Sequence, residues 1–363
     1  MKHIAYQSLK SFTEKVFLEM GCPTEEAKEA SEVLLSADLR GVDSHGVARL
    51  NGYIRLWEQG RINAKPNIKI VHETPSTAVV DGDKGLGLVV APFAMRLAME
   101  KARNVGTGWV SVKNSNHYGI AGYHSMMALE NDMIGWSMTN ASPLVSPTFS
   151  TERLLGTNPI SIAIPAAKQP PFVADFATTT AANGKLEVLK RKNEKAPFGW
   201  VQDANGKPTT DVDALKSGGS MLPLGGDREH ASHKGYILGS IVDIFSAVLS
   251  GANYGPWAPP FVSFLPLRED PVGEGLGHFL GAMRIDAFRP ANDFKAHMDN
   301  WIETFRKSAV TEENDRVIIP GDPEREISEQ RIAKGIPLMD SVIEDLSQIG
   351  NRFEIDFGKY FKE

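Results

Sequence analysis

Apolar residues recur at helical spacing from the start of the chain: Leu9, Phe12, Val16 and Met20 share one face, and Gly21 ends the run. Thr24 is placed to cap a second helix, with Glu25 and Glu26 in the first turn, where carboxylates suit the helix dipole, and Ala27, Ala30, Leu34 and Ala37 along one side. A third helix runs through Arg49, Tyr53 and Leu56, and the four-residue spacing puts Arg49 and Tyr53 on one face. From about residue 77 the pattern shifts to short β-rich runs separated by helices. Strands are predicted at residues 78–81, 109–112, 134–139, 160–164, 172–176, 261–264 and 283–288, and helices at 92–103, 180–190, 235–249 and 293–306. Residues 324–348 return to charged helical sequence and are expected to pack with the N-terminal helices. The pattern predicts an α/β protein in two parts: a helical domain of residues 1–76 plus 308–363, and an α/β domain of residues 77–307.

Composition narrows the class. At 363 residues the chain is long enough for a sizeable core without staples. Its net charge of −6 comes from interspersed charges that offer no basic face to a nucleic acid, so none is expected as a partner. The single cysteine, Cys22, can form no internal disulfide, and the first residues lack the basic-then-apolar plan of a signal peptide. A reducing, cytoplasmic setting is the expectation. The longest apolar stretch, residues 236–252, is too short for a bilayer, carries Asp243, and reads as a buried helix, so no membrane role is expected. The polar, glycine-rich residues 203–229 read as a long excursion.

Three clusters carry candidate chemistry. Asp43-Ser44-His45-Gly46 with Arg49 gathers a proton carrier, a hydroxyl and a cation within seven residues. Reduction of a 2-oxo acid needs a proton donor beside the carbonyl oxygen, a cation for the carboxylate and a hydride source. Histidine titrates near neutrality and arginine forks onto carboxylates. His117, in Asn114-Ser115-Asn116-His117-Tyr118-Gly119, follows a predicted strand, the end at which α/β proteins gather ligands. His124 lies two helical turns on, but no acidic or cysteine ligand stands at a metal-site interval, and no metal is expected. The Gly-x-Gly-x-x-Gly fingerprint is absent: Gly85-x-Gly87 and Gly273-x-Gly275-x-Gly277 are incomplete. Thr178-Thr179-Thr180 after Asp175, at a predicted helix start, offers hydroxyls and amides to phosphate instead, with Lys234 as a candidate cation. No Gly-x-Ser-x-Gly elbow is present, which disfavours hydrolase chemistry.

Together these segments resemble the malate/L-lactate dehydrogenase family. The match covers residues 38–50, 114–123, 138–142, 155–160 and 175–185, then Gly199-Trp200, Pro208-Thr209-Thr210-Asp211, Leu222-Pro223-Leu224-Gly225, His233-Lys234-Gly235-Tyr236, Pro320-Gly321-Asp322-Pro323-Glu324 and Gly335-Ile336-Pro337. The resemblance implies a non-Rossmann NAD(P)-binding α/β fold with a central mixed sheet, flanked by the helical N- and C-terminal domain that carries substrate and dimer contacts. It implies a homodimer and an NAD-dependent enzyme, NADP being the other option. Such an enzyme interconverts a small 2-hydroxy acid, malate or L-lactate, with its 2-oxo acid; other 2-oxo or cyclic imino acids are the alternative. By the same resemblance His45, His117 and Ser44 are catalytic, and Arg49, Tyr53 and Thr157 bind the carboxylate substrate. Asn140, Asp175, Ala177, Thr178, Thr179, Lys234, Gly235, Gly321, Asp322 and Glu324 contact the cofactor. Residues 252–261, with Trp257 and three prolines, match no family pattern.

Overall fold

The apolar face at Leu9, Phe12 and Val16 becomes the buried side of α1 (Tyr6–Glu19), which follows β1 (Lys2–Ile4) and packs on α2 (Thr24–Leu39) in this computed structural model, where residues 2–361 are described. Two 3₁₀ turns, Asp43–His45 and Val47–Arg49, then lead into α3 (Leu50–Glu58), whose Leu50, Tyr53, Ile54 and Leu56 are buried.

The α/β part begins with β2 (Lys69–Glu73), β3 (Thr77–Asp81), α4 (Gly87–Val105), β4 (Thr107–Ser115) and α5 (Ala121–Met126). It continues through β5 (Met133–Thr139), β6 (Ile160–Ile164), β7 (Phe172–Phe176) and α6 (Asn183–Arg191). Three two-residue strands follow, β8 (Val201–Gln202), β9 (Pro208–Thr209) and β10 (Ser220–Met221), and form a small sheet of their own. Then come α7 (Ser232–Asp243), prolonged by a π-helical turn at Ile244–Val248, β11 (Leu276–Arg284) and α8 (Ala291–Arg306). The seven-stranded sheet runs β2-β3-β4-β11-β5-β6-β7; β3 and β4 are parallel and the other neighbours antiparallel, so the sheet is mixed.

The chain then turns back through α9 (Asp322–Lys334), β12 (Ile336–Leu338) and α10 (Asp340–Arg352). β12 pairs antiparallel with β1, and Leu9, Phe12, Leu34, Tyr53, Leu346 and Ile349 belong to one buried apolar cluster that joins both ends of the chain. Leu86, Leu88 and Val89 enter the same cluster and tie it to the start of α4.

Several local expectations are corrected. The N-cap of α2 is Pro23, with no side-chain cap bond, and Thr24 is already the first helical residue. Residues 261–264 form no strand: the Phe261 ring covers Gly52, Tyr53 and His117, and Arg55 and Arg61 hold the Phe261 and Pro260 carbonyls. The strand expected at 283–288 lies upstream as β11, and Ile285–Ala287 is a 3₁₀ turn. Residues 203–229 contain β9 and β10 and are not an uninterrupted loop. The 236–252 stretch is not buried all round: Ile237, Ile241, Ile244 and Val248 are exposed along one face. Among the described residues no helix is long and apolar enough to cross a membrane.

Candidate active site

The Ser44–Arg49 segment has no room to be an ordinary helix, because Gly46 breaks it into two 3₁₀ turns, and these turn the His45 side chain toward a cleft of about 860 Å³. A volume of this size suits a ligand larger than a simple acid. Ser44, His45 and Thr157 line it, together with Arg40, Asp175, Ala177, Thr179, Lys185, Trp200 and Glu324. The Ser44 hydroxyl lies 2.9 Å from His45 Nδ1. The His45 ring stacks on that of His117, centroids 5.7 Å apart. Burial and the Arg49 charge push the His45 imidazole down to about 4; burial, then His45 and Arg49, hold His117 well below its ordinary value. Both rings are therefore neutral at pH 7.

His117 is oriented from behind. The Tyr53 hydroxyl lies 2.6 Å from its Nδ1, and the Gly119 amide donates to the same nitrogen at 3.4 Å. Burial raises the Tyr53 phenol, so it stays protonated and donates. Two donors on Nδ1 make it the acceptor and place the ring proton on Nε2. Tyr53 thus meets His117 and is fully buried, whereas Arg49 turns elsewhere: its Nε donates to the Ser44 carbonyl at 2.5 Å and its Nη2 pairs with Glu187 at 3.2 Å. The common helix face expected for these two side chains leads them to different partners.

The expected cofactor residues divide into two groups. Asp175, Ala177, Thr179 and Glu324 line the cleft. The Asp175 carboxyl accepts from the Gly122 amide at 2.8 Å and is pushed up to about 6 by desolvation. The remainder lie off the cleft wall. Asn140 is buried, donating its amide protons to Asn253 and Asp243 and accepting from the Gly277 amide at its side-chain oxygen. Thr178 spends its hydroxyl on the carbonyls of Thr157 and Asn158, and α6 starts at Asn183, so the three threonines do not open a helix. Lys234 is exposed on α7, and Gly235 packs against the Leu224 backbone. Gly321, at φ +98°, packs on Val173, and Asp322 is held by Arg306 and Arg325.

The cleft nonetheless fits a dinucleotide. Its apolar wall of Ile120, Val188, Leu189 and Leu224 suits flat rings, Arg40 and Lys185 supply positive charge for phosphates, and Asp175 and Glu324 are acceptors for ribose hydroxyls. Among the described residues, no group of three His, Cys, Asp or Glu side chains is placed to hold a metal ion. His124 stands under Tyr118, donating Nε2–H to its carbonyl at 2.9 Å, and does not align with His117.

The malate/L-lactate dehydrogenase family matches residues 4–347. The chain belongs to that family. A malate dehydrogenase of Pyrococcus abyssi is 44% identical over 350 residues, 96% of this chain and 94% of that protein. Among solved structures, the malate dehydrogenase of Entamoeba histolytica superposes with a TM-score of 0.91 at 34% identity, covering 98% of each chain. The sulfolactate dehydrogenase of Methanocaldococcus jannaschii gives 0.89 at 36% identity, covering 99% of this chain and 100% of that one. The protein is accordingly an oxidoreductase of 2-hydroxy and 2-oxo acids on the fold of this family. Sequence reasoning assigns no role to Arg40, Lys185, Glu187 or Trp200. Arg40, Lys185 and Trp200 stand inside the matched segments without a role of their own, and Glu187 meets Arg49 across 138 positions, which no local pattern reveals.

Proposed function

We propose that the chain interconverts a small 2-hydroxy acid and its 2-oxo acid, malate or L-lactate foremost, using NAD. The observation that carries this reading is the stacking of His45, at the wall of the cleft, on His117 behind it, with Arg49 one turn beyond His45. When bound, the nicotinamide cofactor accepts or supplies the hydride. The chain does the rest. His45, which lines the cleft where His117 does not, takes the hydroxyl proton on oxidation and returns it on reduction. Ser44 holds Nδ1 of His45, and Tyr53 through His117 fixes the second ring. Arg49 binds the substrate carboxylate, exchanging Glu187 for it, with Thr157 beside it. A bound carboxylate offsets the Arg49 charge that depresses His45, so binding itself raises the affinity of His45 for a proton.

Asp175 and Glu324 favour NAD over NADP, since a carboxylate accepts from a ribose hydroxyl and repels a 2′-phosphate. Residues 1–76 with 308–363 contribute the Ser44–Arg49 turn and residues 77–307 most of the cofactor wall. The enzyme works as a homodimer in the cytoplasm. Support for the dimer is the apolar stripe of Ile237, Ile241, Ile244 and Val248, spaced by four, three and four residues and exposed in the single chain. The test of the site is Arg49→Ala: KM for the oxo acid is expected to rise about 100-fold, as for loss of a charged hydrogen bond of about 2–3 kcal/mol. An unchanged KM would remove Arg49 from the substrate site.

A further inference from the structure

The turn that carries His45 has no cap of its own: neither 3₁₀ segment is closed by a side-chain cap bond. What fills its inside is Asp38, from the last turn of α2, only 1% exposed and absent from the cleft wall. Its Oδ2 accepts the Val47 amide at 2.8 Å, the one side-chain hydrogen bond of Asp38 among the described residues. The carboxyl lies flat on Gly46: a Cβ there would sit 2.1 Å from the Asp38 carboxyl atoms, so the turn can close over Asp38 only with glycine at that position. On the far side Arg331 of α9 donates to the Asp38 carbonyl and to the Asp43 carboxylate, pinning both ends of the segment that leads into the turn. A buried carboxyl with so few partners is costly, and an apolar side chain would fill the same space more stably.

We propose that Asp38 is a positioning residue for catalysis: through the Val47 amide and its stacking on Gly46 it sets the turn that presents His45 to the cleft. The inference rests on the reading of His45 as the proton-transferring group. Burial pushes the Asp38 carboxyl up to about 8, with Asp43 raising and Arg331 lowering it as the charged groups facing it. At neutral pH it is thus the uncharged acid, for which asparagine is a close substitute in shape and as an acceptor.

The experiment compares kcat and KM of wild type, Asp38→Asn, Asp38→Ala and His45→Asn with an oxo acid and NADH. Asp38→Asn is expected to keep kcat within about threefold, while Asp38→Ala loses about tenfold or more in kcat with KM for the oxo acid within about threefold. In the oxidation direction, where neutral His45 imposes no alkaline fall, wild-type kcat is also expected to fall as pH rises through about 8, where Asp38 ionises beside Asp43, and Asp38→Asn to stay level there. That comparison decides the matter if Asp38→Ala does not fold. An Asp38→Ala enzyme with wild-type kcat, an Asp38→Asn enzyme as impaired as a folded Asp38→Ala, or an alkaline fall retained in Asp38→Asn would each overturn the proposal. With His45→Asn inactive, any of these overturns the role of Asp38 alone; a fully active His45→Asn overturns the reading of the site and this proposal with it.

Discussion

Replacing Tyr53 by phenylalanine isolates one bond in the site. The Tyr53 ring is wholly buried, packed edge-on to Phe17 and Phe261 at 6.4 and 5.2 Å, and those contacts survive the change. Only the 2.6 Å bond to His117 Nδ1 is lost, leaving that nitrogen with the Gly119 amide at 3.4 Å. A buried neutral hydrogen bond is worth about 1 kcal/mol net, which in a chain of this length lowers the melting temperature by only about 1 °C. The effect on turnover is expected to be larger than the effect on stability. His117 stacks on His45, and a ring free to turn no longer fixes its partner or its tautomer, so kcat should fall about tenfold, equivalent to about 1.4 kcal/mol, with KM little changed. Steady-state oxidation of NADH by a 2-oxo acid, alongside thermal melts of both proteins, reads both quantities. A kcat within twofold of wild type with the small loss of stability present would show that His117 is packed there without being oriented for the reaction.

The histidine shifts give two further expectations. Because His45 is neutral in the free enzyme until pH falls to about 4, kcat/KM for hydroxy-acid oxidation, which needs the free base, should hold from pH 8 down to about 5. For oxo-acid reduction, which needs the protonated ring, kcat/KM should fall about tenfold for each unit of rising pH, and a flat reduction profile between pH 6 and 8 would refute the assignment. Stability follows a second buried ring. His124, at about 4 in the folded protein against 6.5 unfolded, makes the unfolded chain bind more protons between those values, so its contribution is full above pH 6.5 and lost as pH falls. His124→Gln should therefore be destabilised at pH 7, and its deficit against wild type should shrink by about 2–3 kcal/mol at pH 4.5. Denaturant melts at the two pH values check this, and an equal deficit at both would contradict it.

Regular patterning made much of the fold legible. Strands β6 and β7 fall on the residues predicted, and the helical face of Leu9, Phe12 and Val16 is buried as its spacing implies. Where the pattern failed, close packing had replaced ordinary propensity. The pattern sets β11 too late because Gly277 and Gly281 break its β character, yet a Cβ at the first would stand 2.0 Å from the Ser246 carbonyl and at the second 2.3 Å from the Trp109 ring. β2, exposed throughout at the sheet edge, lacks the apolar alternation by which strands are recognised. In the site, the Ser44-His45 cluster was readable because its members are sequence neighbours. The Tyr53–His117 and Arg49–Glu187 pairs, 64 and 138 positions apart, exist only once α3 meets the loop after β4 and the Val47–Arg49 turn meets α6. Asn140 and Thr178 show the converse, since side chains that look available in sequence are consumed by backbone groups.

The most direct test of the account is a panel of 2-oxo acids and a cyclic imino acid, with oxaloacetate, pyruvate, 2-oxoglutarate and glyoxylate included, each offered with NADH and NADPH in parallel while nicotinamide absorbance is followed. The account predicts turnover of at least one of the oxo acids, with oxaloacetate or pyruvate foremost and NADH preferred. Binding of both nucleotides without turnover of any member of the panel would contradict it.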